Sequence, residues 1–351
     1  MDTIDQGACE AVLYEAPRLR VVHRTGPFGR APAVAVTFTT WVPDPRANLA
    51  KGFAEGVFLK AGIDEILVMN GRNDWYQAPE VSAAVGAVAA VLPAYARVIS
   101  YGASMGGYAC LNFSNRLKVD RCVAVSPQVS VDPRAVPFET RWQSDAARIR
   151  FTHDDVAGSL HPGTRHLIFY DPQSRDGDHA RLIPGVSVQK IGLRHSGHFT
   201  LNTIKDLGLL GRFFRLVTGA EQDPAAFQAE YTRRISTSPW RIVGLAERSI
   251  RRPARLLGLW RRFQTAPPKD PVPYEKIALF LILARCHDQA LETLGMRPAL
   301  RQRPYAQSLR ARALAGLGDA TAARIEGRRV VEMLGPAHDY CRQLRSLGII
   351  P

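Results

Sequence analysis

The segment 102–107 combines a potential nucleophile with closely spaced glycines. It reads Gly-Ala-Ser-Met-Gly-Gly and contains the pattern Gly-x-Ser-x-Gly centred on Ser104. A β-rich run precedes it at 97–101, and a helical stretch follows as far as Leu117. A sharp strand-to-helix turn of this kind exposes the serine hydroxyl and tolerates no bulky flanking side chains. The spacing therefore predicts that Ser104 is a nucleophile, and a turn that binds phosphate at a helix N-terminus is the structural alternative.

A serine nucleophile needs a general base within hydrogen-bond reach, and His198 is the best placed of the nine histidines. It lies between the last predicted strand and a helix, where a side chain can project over the C-terminal edge of a parallel sheet. Gly197 gives the backbone beside it extra freedom. His195, three residues earlier, is the competing candidate.

An acid that orients the base is predicted in the loop after the strand at 166–170. This loop contains Asp171, Asp176 and Asp178. Asp171 precedes a proline, a position where aspartate often starts a turn, and Asp178 could serve as a helix N-cap. Asp176 therefore ranks first, with Asp171 as the alternative.

The elements that must position these residues alternate between strands and helices. Short β-rich runs separated by amphipathic or Ala-rich stretches are typical of βαβ units and of a mainly parallel sheet. Several runs, such as Val-Ala-Val-Thr-Phe at 34–38, are apolar on both faces, as strands covered by helices on each side must be. The predicted strands are 19–23, 33–39, 65–70, 97–101, 121–126, 166–170 and 186–191, and the predicted helices are 49–61, 80–92, 105–117 and 201–217.

The strand pattern stops near Gly219, so a second, helical region is predicted. Pro253 should end or kink any helix in the Arg-rich stretch that follows, and a Pro-rich hinge comes after it. We expect an α/β domain at 1–220, a basic helical connector with the Pro-rich hinge at 221–270, and a helical domain at 271–351.

The order of Ser104, an aspartate and His198 along the chain resembles that of the α/β-hydrolase family. The resemblance covers about residues 15–220, and its specific parts are 102–107 and the Gly-His pair at 197–198. It implies a mainly parallel α/β-hydrolase-type sheet with helices on both faces. It also implies a serine hydrolase, most often a carboxylic ester hydrolase, that works through an acyl-enzyme without a metal or cofactor.

The same resemblance implies the groups of an oxyanion hole. In that family the first donor is the backbone N–H after the nucleophile, here Met105, and the second comes from the loop after an early strand. That loop offers Thr39 or Thr40, of which Thr40 is the candidate. It lacks the usual His-Gly pattern, which argues against a lipase-like subgroup.

Aromatic and amide side chains follow several predicted strands and could line a pocket. Trp41, Trp75, Tyr76 and Gln128 are the candidates for contacts with a substrate; the alternative is that Trp75 and Tyr76 only cover the sheet edge. The segment 126–165 is polar and contains no large apolar lid, which makes bulk lipid a poor candidate substrate.

In the helical region, residues 317–323 resemble the helix-turn-helix centre of a tetratricopeptide repeat, and 284–291 resemble it more weakly. Ala290 and Ala323 lie 33 residues apart, close to that family's period of about 34. The resemblance implies that this region could bind a protein partner. A plain bundle of helical hairpins is the alternative.

The formal net charge of +14 is concentrated in one segment. Residues 233–262 contain nine arginines and one acidic residue, whereas the first 232 residues contain 24 basic and 23 acidic groups. The segment could be a solvated helix face, a membrane-surface helix with Trp240 and Trp260 as interfacial anchors, or a nucleic-acid patch. Aromatic residues beside arginine, without a Lys-rich stripe, make nucleic acid the least favoured partner.

Five scattered cysteines without a CxxC pair predict reduced thiols rather than disulfides or a zinc site. Residues 1–5 have no basic or apolar signal segment, and no apolar run is long enough to span a bilayer. We therefore expect a cytoplasmic protein that is at most peripheral to a membrane.

Together these features favour a serine hydrolase that cleaves a small or glycan-linked acyl ester. An acyltransferase that uses the same acyl-enzyme is the first alternative. A non-catalytic interaction protein with a TPR-like partner-binding domain is the second.

Overall fold

The computed structural model describes residues 8–185 and 187–351. The chain divides into two compact units, each formed by two separate stretches of sequence. Among the described residues, unit 1 contains 8–185, 187–194 and Gly208–Arg233, and unit 2 contains His195–Leu207 and Arg234–Pro351. The N-terminal segment 1–5 and Val186, the first residue of the last predicted strand, lie outside the described residues.

An eight-stranded sheet forms the centre of unit 1, in the spatial order β1-β2-β4-β3-β5-β6-β7-β8. In the spatial series β4-β3-β5-β6-β7-β8, all neighbouring strands are parallel. Strand β2 pairs antiparallel with both β1 and β4. The mainly parallel sheet predicted from the sequence is therefore confirmed. The strands are β1 (Cys9–Ala16), β2 (Leu19–Thr25), β3 (Ala33–Phe38), β4 (Asp64–Asn70), β5 (Arg97–Ala103), β6 (Arg121–Val125), β7 (Arg165–Tyr170) and β8 (Val188–Gly192).

The edge strand β1 is the one that the sequence analysis missed. It pairs with β2 from Cys9 opposite Thr25 to Ala16 opposite Leu19. Its first four residues are exposed, so its side chains lack the buried apolar alternation on which the other predictions depend.

Nine α-helices occur in the described residues up to Arg234. The helix Thr200–Asp206 lies in unit 2, whereas the helix that follows it, Leu210–Thr218, lies in unit 1. They are α1 (Val81–Val91), α2 (Met105–Asn112), α3 (Ser114–Leu117), α4 (Gln143–Ala146), α5 (Val156–Ser159), α6 (Arg175–Leu182), α7 (Thr200–Asp206), α8 (Leu210–Thr218) and α9 (Pro224–Arg234).

Both faces of the central strands are buried. Every residue of β3, β4 and β6 is buried. On one face, Val34 and Val36 pack in the same apolar core as Val85 of α1 and Tyr108 of α2. On the other face, Phe213 of α8 packs against aromatic rings of β5 and β7. The predicted layers of helices on both faces of the sheet are present.

The predicted helix at 49–61 is wrong. Two short 3-10 helices, Pro45–Leu49 and Leu59–Ala61, are joined there by turns. Gly56 and Gly62 have φ angles of 77° and 70°, and this left-handed conformation ends a helical path. The predicted helix at 201–217 is likewise divided, because Gly208 (φ 68°) separates α7 from α8.

Unit 2 is helical after its first stretch, as the sequence predicts. Consecutive helices α12 and α13 pack together, as do α14 and α15. Its remaining helices are α10 (Pro239–Glu247), α11 (Pro253–Thr265), α12 (Val272–Leu283), α13 (His287–Gly295), α14 (Pro304–Gly316), α15 (Ala320–Leu334) and α16 (Asp339–Ser346).

The helical path of the basic segment 233–262 is interrupted just before Pro253, as the sequence predicts. Helix α10 ends at Glu247, and α11 begins at Pro253. Trp240 and Trp260, however, are buried in the core of unit 2. The indole N–H of Trp260 donates to Thr293 Oγ1 at 3.0 Å. Neither ring is placed as an interfacial anchor, which corrects that part of the membrane-surface hypothesis. None of the helices in the described part of the chain combines the length and the apolar character that a membrane crossing needs.

Candidate active site

Ser104 occupies a strained turn between β5 and α2. Its backbone has φ 52° and ψ −121°, a conformation that side-chain-bearing residues rarely adopt. Hydrogen bonds hold the turn on both sides: the Ser104 N–H donates to the Val125 carbonyl at 2.8 Å, and the Ser104 carbonyl accepts from the Tyr108 N–H at 2.9 Å. Strain of this kind persists where the surrounding structure enforces it, which is common at functional sites.

The glycines around Ser104 are required by close backbone contacts. A Cβ atom on Gly102 would lie 2.3 Å from the Gly106 carbonyl oxygen. A Cβ atom on Gly106 would lie 2.3 Å from the carbonyl oxygen of Phe38, the last residue of β3. Both contacts are far inside van der Waals distance, so the spacing Gly-x-Ser-x-Gly follows from the packing of α2 against β3 and β5.

The backbone N–H groups of Met105 and Thr40, near this turn, have no acceptor among residues 8–185 and 187–351. Met105 is the first residue of α2, where an N–H has no intrahelical partner. Thr40 follows the Phe38–Thr39 backbone on which Gly106 packs. The Thr39 N–H, by contrast, donates to the Val68 carbonyl at 3.2 Å. Of the two threonines, Thr40 is the one with an available donor.

The candidate acids Asp171 and Asp176 are both fully buried in the loop and helix that follow β7. Asp171 Oδ1 accepts the N–H of Gln173 at 2.9 Å, which closes a turn. Asp176 Oδ1 accepts from Arg141 Nη2 at 2.8 Å. Asp178 lies on the surface of α6 and pairs with Arg181.

Arg141 connects Asp176 to a second buried carboxylate that the sequence analysis missed. Its Nη2 atom also donates to Glu139 Oε2 at 2.6 Å, and His179 Nε2 lies 3.0 Å from the same oxygen. Burial alone would raise the pKa of Glu139, but hydrogen bonds from His179 and Arg141 hold that pKa well below its usual range. The only hint in the sequence is the Glu-x-Arg pattern at 139–141, which is too common to identify such a network.

The predicted substrate-contact residues are mostly interior. Trp75, Tyr76 and Gln128 have no exposed surface, and the Trp75 indole N–H donates to Gln128 Oε1 at 3.1 Å. Trp75 and Tyr76 both have positive φ angles, 49° and 57°, so this loop is also strained. Trp41 is half-buried, and its indole donates to Asp145 Oδ2 at 2.9 Å. Contact of these four residues with a substrate stays a prediction.

The loop with the two candidate bases belongs to unit 2. The His198 N–H donates to Glu247 Oε2 of α10 at 3.1 Å, and Gly197 has a φ angle of 56°. A Cβ atom on Gly197 would lie 2.3 Å from the same carboxylate oxygen, which explains the glycine there. His195 Nδ1 lies 2.9 Å from Arg248 Nη2, which can only donate, so this His195 nitrogen is an acceptor.

A second serine–histidine pair is present in unit 1, far from solvent. Ser114 Oγ lies 2.8 Å from His166 Nε2, and both residues are fully buried. Burial lowers the pKa of His166 to about 4. This pair is a part of the core rather than a reactive site, because a substrate has no access to it.

No protein-family model and no curated protein matches the sequence. Solved structures are similar in part of their fold. A capsule O-acetyltransferase of Neisseria meningitidis serogroup A is 11% identical over 58% of this chain and 93% of its own, with a TM-score of 0.41. An alpha-beta serine hydrolase homologue from Coxiella burnetii is 15% identical over 61% and 97%, with a TM-score of 0.37. An S-formylglutathione hydrolase from Agrobacterium tumefaciens is 14% identical over 58% and 94%, with a TM-score of 0.39.

Proposed function

We propose that the protein is a serine hydrolase that cleaves an acyl ester with Ser104 as the nucleophile. The observation that carries the proposal is the backbone of Ser104, held at φ 52° between a strand and a helix. A serine needs no such strain to fill a turn, and the close contacts at Gly102 and Gly106 show that the packing enforces it.

The free donors beside the nucleophile support acyl chemistry. The N–H groups of Met105 and Thr40 are on segments that pack against each other through Gly106. Two backbone donors without an internal acceptor can stabilise the negative oxygen that forms when a carbonyl is attacked. Removal of one such donor typically costs about 10²–10³ in kcat.

His198 is the proposed base, and Asp176 or Asp171 the acid that orients it. Ser104 Oγ attacks the acyl carbonyl as its proton passes to His198, and His198 then returns the proton to the departing alcohol oxygen. Water, deprotonated by His198, then attacks the acyl carbonyl, the bond to Ser104 Oγ breaks, and His198 returns the proton to Ser104 Oγ as the carboxylic acid leaves. Asp176 also pairs with Arg141, with 2.8 Å between Nη2 and Oδ1, and this contact helps to hold its carboxylate in place.

The proposal predicts that Ser104→Ala abolishes covalent labelling of the protein by a fluorophosphonate probe, since this reagent needs an activated serine oxygen. The measurement is labelling of the purified protein, followed by mass of the modified peptide. His198→Ala should reduce the labelling rate by several orders of magnitude, whereas His195→Ala should reduce it much less.

Ser114→Ala is the matched control, because it removes a serine that is also bonded to a histidine but is sealed in the core. It should be labelled as fast as the unchanged protein, provided that its circular dichroism shows a folded chain. Labelling that persists in Ser104→Ala, or that disappears in folded Ser114→Ala, would contradict the proposal.

A further inference from the structure

Four side chains with hydrogen-bond donors lie around Tyr305 in the helical unit. They are Lys276 of α12, Tyr305 and Arg312 of α14, and Tyr340 of α16, and all four side chains are half-buried. Within the described residues, no hydrogen bond or ion pair involves Lys276 Nζ, the Arg312 guanidinium or either tyrosine hydroxyl.

Tyr305 is the centre of this group. Lys276 Nζ lies 5.3 Å from the centre of the Tyr305 ring, and Tyr340 stacks on the same ring with centroids 5.0 Å apart. Arg312 follows Tyr305 by seven residues, so both side chains share one face of α14. The Arg312 charge and the Tyr305 hydroxyl are close enough to influence each other's pKa.

The carboxylates nearby are already used. Glu275 forms two hydrogen bonds with Arg303, at 2.6 and 3.0 Å, so this pair is neutral as a whole. Glu247 accepts the N–H of His198. Glu275 and Glu247 partly offset the effect of burial on the pKa of Lys276, but no carboxylate of the described residues forms an ion pair within 4 Å of Lys276 or Arg312.

Such an arrangement has an energetic cost in the absence of an anion. Burial lowers the pKa of Lys276 and the pKa of Arg312 from their ordinary values. Burial raises the pKa of Tyr305 to about 12, so its hydroxyl keeps its proton and remains a donor. An anion with several oxygens would relieve both desolvated charges and accept the free hydroxyl protons.

We infer that Lys276, Tyr305, Arg312 and Tyr340 form a binding site for an oxyanion, a carboxylate or phosphate group that the substrate carries. The inference that the ligand is a substrate rests on the proposed function. Lys276 Nζ also lies 4.9 Å from the ring of Phe199, and Phe199 directly follows the proposed base His198. The site would select anionic esters over neutral ones.

The site itself is tested by calorimetric titration of inorganic phosphate, and separately of succinate, into the full-length Ser104→Ala protein. Saturable binding is expected, and the double variant Lys276→Met/Arg312→Met should weaken it by at least about tenfold. Arg324→Met, which removes an exposed charge from α15, is the control and should bind as before. Absence of saturable binding of both anions, or binding that the double variant leaves unchanged, overturns the site.

The substrate role is tested with acetylated glucuronate and acetylated glucose, which differ in one carboxylate. In the double variant the KM for the glucuronate ester should rise about tenfold with little change in kcat, and both constants for the glucose ester should stay as they were. Tyr305→Phe keeps the ring beneath Lys276 and should give a smaller rise in the same KM. Equal changes for the two esters overturn selection by charge.

The two proposals fail in different ways. If the unchanged protein binds phosphate at Lys276 and Arg312 but hydrolyses neither ester and is not labelled at Ser104, the proposed hydrolase is wrong and so is the substrate role, whereas the oxyanion site stands. If it hydrolyses both esters equally and binds no anion, only the oxyanion site is wrong.

Discussion

At the scale of single residues, the buried His166 provides a pH-dependent test of the core. Its folded pKa is lowered to about 4 by burial, while an unfolded histidine titrates near 6.5. Between these values the unfolded chain binds a proton that the folded chain does not. The free energy of unfolding should therefore decrease as the pH falls from 6.5 towards 4, by at most about 1.4 kcal/mol per pH unit from this group.

The measurement is urea unfolding at pH 7, 6 and 5 for the unchanged protein and for His166→Gln. The variant should lose less stability on acidification, because glutamine does not titrate. His161→Gln, which changes a half-buried histidine on the preceding loop, is the control. If the unfolding free energy had the same pH dependence in all three proteins, its loss at low pH could not be assigned to His166.

The strained turn at Ser104 could be predicted from the sequence because it requires glycine at neighbouring positions. Glycines occur at 102 and 106 since a Cβ atom at either position would overlap a backbone carbonyl. The network of Glu139, Arg141 and His179 has no comparable sequence signature. Its members are brought together by the fold from a loop and a helix, and their residue types are ordinary for surface positions.

At the scale of elements, the packing of α2 on β3 makes a prediction about stability. Gly106→Ala places a methyl group against the Phe38 carbonyl oxygen, which is part of a buried strand and cannot move cheaply. The variant should lose about 1–3 kcal/mol of unfolding free energy in urea. Gly86→Ala in α1, where a Cβ atom meets no atom within 4 Å, should gain up to about 1 kcal/mol. Equal stability of the two variants would show that α2 does not depend on this contact.

The sequence predicts strands well where burial on both faces gives continuous apolar runs, as in β3 and β6. It fails at β1, whose exposed side chains carry no periodic signal. It also fails at 49–61, where apolar residues at helical spacing lie on turns instead. Gly52 explains why: a Cβ atom there would lie 2.8 Å from the Leu67 side chain, so the segment is fixed by contact with β4 rather than by helix propensity.

At the scale of the whole molecule, the helical region contributes to the loop that contains the proposed base. Glu247 lies 49 residues after His198 and accepts its N–H. Glu247→Ala should lower the rate of fluorophosphonate labelling at Ser104 by about tenfold or more, since small displacements of a catalytic group reduce rates strongly. We treat Glu247 as a positioning residue.

Rescue by the conservative variant separates positioning from a general loss of structure. Glu247→Gln keeps an oxygen acceptor of the same length and should restore most of the labelling rate. Glu292→Ala removes a carboxylate of α13 that accepts a solvent-exposed hydrogen bond from Gln264, and it is the control. Labelling of Glu247→Ala at the unchanged rate would contradict the role.

The sequence analysis could not anticipate this division of the chain. It assigned His198 to the α/β domain at 1–220, since a loop between a strand and a helix is expected to stay with the sheet. The structure instead groups His195–Leu207 with Arg234–Pro351. The contacts responsible are specific and remote in sequence, such as the Gly244 backbone, where a Cβ atom would lie 2.3 Å from the His195 carbonyl oxygen.

This discontinuity also affects the time at which a newly synthesised chain could become active. The ribosome makes His198 well before Glu247, the helical-region residue whose carboxylate accepts the His198 N–H. At about 5–20 residues per second, the 49 residues from His198 to Glu247 take about 2–10 seconds to follow. During that interval Ser104 is already made, but the base loop lacks its support. Reactivity towards esters is therefore expected to appear only after the helical region has emerged and folded.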